Sequence, residues 1–292
     1  MPLFLLRNMF DPERQEQERQ DLAEALKGLR KAAGLSGERL AARCAISQSK
    51  ISRIERGKTL PSVIDVQRIL DALGVTDEVA KQLLSLARTA KVHYKSSRSY
   101  AEIGLWRKQD ELKALAETSK VIRYFHPAAP SGMLQTRAFA TQVLTPTVRG
   151  RPARNVERTV DARLGRQEVL RDQSRTFTFL MTEQAVCWQR APRDVMAEQC
   201  RHLAAMSEWE NVTIGIIPNR VQIPVVPLNT FIVYDERLVL VEIFSGEVVL
   251  RDPQDISYHL NLFDAFLERA LVGKDAIAFL KSVAHAFMRE HD

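Results

Sequence analysis

The stretch Ser36-Gly37-Glu38-Arg39-Leu40-Ala41-Ala42-Arg43-Cys44-Ala45-Ile46-Ser47-Gln48-Ser49-Lys50-Ile51-Ser52-Arg53-Ile54-Glu55-Arg56-Gly57 decides how this chain is read. Ser36 and Ser47 are helix-capping residues, because a serine hydroxyl can accept from the free N–H groups of a first helical turn. Leu40 and Ala41 mark the inner face of one short helix, and Ile51 and Ile54 that of a second. Gly57 supplies the left-handed position that ends it. The pattern predicts two short helices joined by a tight turn, the second opening on the polar residues Gln48, Ser49 and Lys50.

Charge points the same way. Between Arg30 and Lys58 stand eight bases (Arg30, Lys31, Arg39, Arg43, Lys50, Arg53, Arg56, Lys58) and two acids (Glu38, Glu55), a net of +6. The whole chain, with 42 bases and 36 acids, is also +6, so its other segments sum to neutral. Positive charge confined to one small element is either a solvated basic face or what a phosphate backbone attracts; with the helix pair that carries it, double-stranded DNA is the expected partner.

Working outward, Asp11-Pro12-Glu13 reads as the start of a charged helix whose Leu22, Leu26, Leu29 and Ala33 share a face, with Gly34 ending it. Downstream, Pro61-Ser62 precedes Val63, Val66, Ile69, Leu70 and Leu73. Gly74 separates these from a helix capped by Thr76 and carrying Val79, Leu83, Leu84 and Ala87. Five helices form an all-α domain at 19–90, preceded by an arm and the start of the first helix at 1–18. A serine-containing linker covers 91–105.

The remaining residues, 106–292, have a different texture. Strands are predicted at 121–125, 176–181 and 212–217, and three β-rich runs over 229–250, broken at Asp235-Glu236 and Ser245-Gly246, read as an antiparallel meander. Helices are predicted at about 134–144, 153–171, 192–208 and 254–289. The fold class is therefore two-domain: an all-α DNA-binding domain followed by a mixed α+β domain with a largely antiparallel sheet.

With 292 residues and 45% hydrophobic content the chain can fill two cores. Three cysteines, Cys44, Cys187 and Cys200, are too few and too odd a number for a disulfide framework, so a cytoplasmic setting is expected. The opening Met1-Pro2-Leu3-Phe4-Leu5-Leu6-Arg7 lacks the long apolar core of a signal peptide, and no run approaches the roughly 20 apolar residues of a membrane span.

In a helix-turn-helix unit the second helix enters the major groove, N-terminal residues first. Gln48 and Arg53 are then the expected base readers, Gln being suited to adenine and Arg to guanine, with Ser49 a less discriminating third. Arg43, Ser47, Lys50, Arg56 and Lys58 are expected on phosphates, which fix register without reading sequence.

From Ser47 to Gly57 the sequence resembles the recognition helix of Xre-type, phage-repressor-like regulators. Leu29-Arg30, Gly34-Leu35-Ser36 and Leu40-Ala41 also fall where that family has them, so the resemblance runs from Leu22 to about Leu73 and implies a lambda-repressor-like five-helix domain. It further implies that Arg30 pairs with Glu55 to orient the recognition helix. The chain departs from the family at Ala45, where a turn glycine is usual; a non-glycine residue at positive φ costs about 1 kcal/mol.

The rest of the chain is similar to the domain of unassigned biochemistry that follows an Xre-type unit in many actinobacterial regulators. The stretches that carry the likeness include Gly132-Met133-Leu134-Gln135-Thr136, Arg163-Leu164-Gly165-Arg166-Gln167-Glu168, Thr182-Glu183-Gln184-Ala185, Asn211-Val212-Thr213 and Asp252-Pro253. Membership of that group implies transcriptional regulation without supplying a ligand. Gln135, Thr136, Arg163, Arg166, Gln167 and Glu168 either line an effector or partner site or cap helices and stitch the domain together.

No catalytic constellation emerges from the sequence. The six histidines are scattered, and His-Glu-x-x-His, Cys-x-x-Cys and nucleophile-elbow patterns are absent. Cys187, Cys200 and His202 lack the close ligand pair and fourth ligand of a zinc site. The expectation is a non-enzymatic, sequence-specific regulator with no metal or cofactor, acting as a homodimer on a palindromic operator and responding to a small molecule or small protein. The alternatives are a DNA-binding scaffold controlled by a small antitoxin-like or anti-regulator protein, an enzyme with a DNA-targeting module, and a nonspecific nucleic-acid binder.

Overall fold

The computed structural model describes residues 12–59, 61–89, 92–96, 104–148 and 155–289. The chain divides into two compact units, Met1–Lys95 with Val248–Pro253, and Ser96–Glu247 with Gln254–Asp292. Among the described residues, no helix is long and apolar enough to cross a membrane.

The first unit holds five helices, α1 (Pro12–Ala32), α2 (Gly37–Cys44), α3 (Gln48–Glu55), α4 (Val63–Leu73) and α5 (Asp77–Thr89). Their shared core contains Leu22, Leu26, Leu40, Ile51, Ile54, Val66, Ile69 and Leu70, the positions that helical periodicity singled out. Ala33 lies instead in the exposed turn after α1. The expected arm and Asp11 cap fall outside the described residues, apart from the first turns of α1.

Each boundary of α2 and α3 has a local cause. Ser36 Oγ accepts from the N–H of Arg39 at 3.2 Å and Ser47 Oγ from that of Lys50 at 3.3 Å. After α3 the N–H of Gly57 donates to Ile54 O and that of Lys58 to Arg53 O, a Schellman closure that needs φ +65 at Gly57. A Cβ at Gly57 would lie 2.7 Å from Gln20 Oε1, so glycine also permits the close approach to α1. Between α2 and α3, Ala45 holds φ 51 and ψ 43, a left-handed turn residue without glycine's freedom.

In the second unit α6 (Leu105–Glu117) precedes β2 (Val121–His126), α7 (Arg137–Leu144), α8 (Val156–Gln167), a 3-10 turn (Glu168–Arg171) and β3 (Thr176–Thr182). Then come α9 (Glu183–Cys187), α10 (Arg193–Met206), β4 (Val212–Ile217), β5 (Thr230–Tyr234), β6 (Leu238–Ile243), β7 (Gly246–Leu250), α11 (Pro253–Leu267) and α12 (Gly273–Arg289). The fold class is as expected, a helical domain followed by a mixed α+β domain. Its six strands follow the order β7-β6-β5-β2-β3-β4. β2 pairs with β5 and β5 with β6 antiparallel, whereas β2, β3 and β4 run parallel, joined by helical crossovers.

Several details differ from the sequence reading, the short helix α9 among them. Val92–Ser96, expected to be linker, is a strand, β1. α6 was not foreseen, because its apolar positions, Leu112 and Ala116 among them, are interleaved with charges. The single helix expected over 254–289 is two helices, interrupted where Leu271 exchanges backbone hydrogen bonds with Ile216 and Gly273 takes φ +56.

The sheet has two dissimilar faces. On one, Phe125 packs between Phe231 of β5 and Phe266 of α11, with ring centroids 5.1 and 4.7 Å away. On the other, Tyr124 stacks on Phe179 at 4.6 Å and meets Tyr234 edge-on at 6.5 Å. Alternation along a strand places Tyr124 and His126 together on this second face.

Relief of the strained turn is measurable. Ala45→Gly is expected to raise stability by about 0.5–1 kcal/mol, the left-handed penalty less glycine's extra unfolded-state entropy, read as a higher urea midpoint.

Candidate nucleic-acid interface

α3 is divided lengthwise. Ile51 and Ile54 are each 1% exposed, while Gln48, Ser49 and Arg53 lie on the solvent side. Gln48 turns its amide toward the start of α2, where Nε2 comes 3.9 Å from the place a Cβ on Gly37 would occupy. Arg43, Ser47, Arg56 and Lys58 are also exposed, so α3 and its flanks present a basic surface.

One guanidinium sets the pose of this helix. Arg30 Nε donates to Glu55 Oε1 at 2.6 Å, Nη2 to Oε2 at 2.8 Å, and Nη1 to the carbonyl of Leu35 at 2.8 Å. The two side chains are only 14% and 10% exposed. A two-pronged bond of this kind restrains direction as well as distance.

Three of the expected phosphate contacts have other engagements. Lys50 Nζ bonds Asp65 Oδ1 at 2.9 Å, which takes Lys50 out of the set of uncommitted cations. Asp65 Oδ2 in turn accepts from the N–H of Ser62, and Ser62 Oγ from that of Asp65, closing a capping box on α4. Burial works against the Asp65 carboxylate, yet the bonds from Lys50 and Ser62 hold its pKa below the ordinary value. Ser47 is occupied as a helix cap, and Arg56 Nε donates to Ser52 O at 3.0 Å. Asp65 was missed in the sequence because its spacing from Lys50 matches no helical period.

In the second unit the six residues singled out do not act as one set. Gln135 Nε2 donates to Pro130 O at 2.7 Å, and Gln167 Nε2 to Gly132 O and Gln135 O at 3.1 and 2.9 Å. Thr136 caps α7, and its N–H donates to Gln199 Oε1 at 2.8 Å. These three stitch the Pro130–Thr136 loop to α8 and α10. Glu168 stands apart, exposed, 3.5 Å from Arg171.

The two arginines differ from those stitches. Arg163 Nη1 donates to Gln135 Oε1 at 2.6 Å. Arg166, 6% exposed, has a buried Nε with no partner. Both press on Gly132, where a Cβ would lie 2.8 Å from Arg166 Nη2 and 3.3 Å from Arg163 Nε. Burial and the neighbouring Arg166 charge lower the Arg163 pKa to about 10. Burial lowers that of His126 to about 4, and its Nε2 is also without a partner. Lys108, from α6, is ion-paired with Glu242 at 3.3 Å and Glu247 at 2.9 Å. Arg163 and Arg166 were the sequence signal for this face; Lys108, His126, Glu242 and Glu247 were missed because they come from separate elements.

A family model described as Domain of unknown function (DUF5753) matches residues 109–282, and one described as Helix-turn-helix domain matches residues 21–83. No curated protein matches the chain. Among solved structures, the phospholipase D family member Nuc from Salmonella typhimurium is 9% identical over 62% of this chain and 97% of its own, with a TM-score of 0.36. TrmBL2, an archaeal chromatin protein, is 11% identical over 71% of this chain and 66% of its own, with a TM-score of 0.32.

Removing one member of the Arg30–Glu55 pair leaves the other charge half-desolvated. Arg30→Met or Glu55→Gln alone is expected to cost about 3 kcal/mol of stability, and the double variant distinctly less than the sum, in a denaturation cycle.

Because folding holds His126 at about 4 against an ordinary 6.5, the unfolded chain takes up a proton that the folded one refuses. Stability from this residue is complete above about pH 6.5 and is lost toward pH 4, roughly 3 kcal/mol in all. His202, lowered mainly by burial, adds in the same direction. Urea midpoints measured at pH 7 and pH 5 are expected to converge in His126→Gln.

Proposed function

This chain belongs to the DUF5753 family, and we propose that it is a sequence-specific transcriptional regulator of Xre type that reads the major groove of double-stranded DNA through α3. The observation that carries this reading is the division of α3, with a buried Ile51–Ile54 side and an exposed Gln48–Ser49–Arg53 side, on a helix whose end is held by a bidentate arginine. The match of a helix-turn-helix model to residues 21–83 supports DNA as the partner.

In this mechanism Gln48 pairs with an adenine edge and Arg53 with a guanine edge, each worth about 1–3 kcal/mol of discrimination. Arg43, Arg56 and Lys58 lie against phosphates and set the register. One short helix reads few bases, so two copies bind a palindromic operator with half-sites about one helical turn apart. The C-terminal domain is a sensing and dimerising module rather than an enzyme, and the protein works in the cytoplasm. A second reading, a scaffold held by a small protein partner, draws support from Val226 and Leu228, 68% and 78% exposed on the loop before β5.

Selection of bound sites from random DNA tests the proposal. Arg53→Ala is expected to relax preference at one base pair, whereas Lys58→Ala weakens all sequences alike and lowers the salt slope by about one unit. Equal losses on every sequence with Arg53→Ala would reassign that residue to the phosphate set, and equal affinity of the unaltered protein for scrambled DNA would refute sequence-specific reading.

A further inference from the structure

Buried charges in folded proteins are paired, because an isolated one forfeits hydration with nothing in return. Lys108 obeys this rule through Glu242 and Glu247. Arg166 does not: among the described residues it makes no hydrogen bond or ion pair, although it is 6% exposed. Its neighbour Arg163, one helical turn away on the same face of α8, has a single bond, to the neutral amide of Gln135. Two like charges are thus held side by side over Gly132, whose missing Cβ makes room for both.

The surroundings are built from side chains that suit a ligand. Arg166 is close enough to Tyr124, His126, Tyr234 and Glu242 to perturb the ionisation of each. His126 offers an unpaired Nε2, and the neutral imidazole can donate or accept there. The Arg163 side is half-buried and the Glu242 side chain is 37% exposed, so the cluster reaches the surface of its own unit.

We propose that Arg163 and Arg166, standing over Gly132 beside Tyr124 and His126, form a receptor for the carboxylate of a small molecule. Planar guanidinium groups match a carboxylate with two parallel N–H to O bonds. Charge count selects the class of anion. Lys108, Arg163 and Arg166 against Glu242 and Glu247 leave one positive charge uncompensated, which a monoanion neutralises and a phosphate dianion overshoots. The site rests on the sensing role given above to the C-terminal domain and names the chemistry of what is sensed.

The test uses the full-length protein, with sodium benzoate and sodium acetate as probes and sodium phosphate and sodium chloride at matched ionic strength as controls. Thermal unfolding and calorimetric titration up to about 50 mM detect a Kd in the millimolar range. Benzoate is expected to raise Tm by about 5 °C as its concentration far exceeds Kd, with acetate weaker. Arg166→Met is expected to lose that shift while its unliganded Tm stays level or rises, since an unpaired buried charge has been removed. A merely structural arginine predicts the opposite, a fall in unliganded Tm. Arg166→Lys, which keeps the charge but not the planar fork, is expected to bind at least tenfold more weakly and serves if the methionine variant does not fold. No carboxylate-specific shift, a shift with phosphate alone, or a shift retained in Arg166→Met would each overturn the assignment. DNA affinity measured with and without benzoate separates the two claims. Binding without any effect on DNA sinks the sensing role and leaves the receptor standing, and a response of DNA binding to cell extract with no carboxylate binding does the reverse.

Discussion

The pose of the reading helix depends on one guanidinium. Arg30, near the end of α1, grips both oxygens of Glu55 at the end of α3 and at the same time the carbonyl of Leu35 in the turn before α2. The end of α1, the turn that follows it and the end of α3, 25 residues on, meet at this side chain. Hydrophobic burial of Ile51 and Ile54 keeps α3 against the core, but a hydrophobic contact is indifferent to small rotations. The forked bond is not, and a base reader displaced by an ångström misses its edge. The caps at Ser47 and Gly57 then limit where α3 begins and ends, so length, position and angle each have a separate cause.

Both units bury arginines, and the two differ in the bonds they make. Arg30 has all three nitrogens bonded, to Glu55 and Leu35, with little surface exposed. Arg166 sits at comparable burial with no bond to the described residues. Both side chains are largely covered, so the difference lies in the bonds they make. A fully bonded guanidinium holds elements together, whereas an unbonded one beside a second cation raises the energy of the empty protein and lowers that energy when an anion arrives.

Much of this was legible in the sequence, for identifiable reasons. Ser36, Ser47 and Gly57 act locally, and a local signal survives without knowledge of the fold. Leu40, Ile51 and Ile54 follow a period, and burial confirms them one by one. The Arg30–Glu55 pair was available only through the likeness to a family, since 25 residues separate its members and no periodicity links them. Lys50–Asp65 had neither route, and neither did the parallel half of the sheet, whose strands β2, β3 and β4 find each other across helices. The break at Gly273 was hidden because apolar residues continue on both sides of it, and only the bridge between Ile216 and Leu271 shows why the helix stops. Arg163 and Arg166 were visible as a polar motif, but sequence could not separate them from Gln135 and Gln167, whose amide groups bond the loop carbonyls while Arg166 bonds none of the described residues.

The basic segment looks different once its bonds are assigned. Of the eight bases from Arg30 to Lys58, Arg30 is spent on Glu55 and Lys50 on Asp65, an acid that lies outside the segment and so escaped the count. Arg56 has one donor on the helix's own backbone. The exposed cations left in the segment are Lys31, Arg39, Arg43, Arg53, Arg56 and Lys58, six of the original eight, and only Arg53 of these lies on α3 itself. Counterion release scales with the phosphates contacted and not with formal charge, so a smaller share of the binding energy comes from the sequence-independent term. In the proposed mode of reading, what remains comes from base edges, through Gln48 and Arg53 and, by way of the angle of α3, through Arg30.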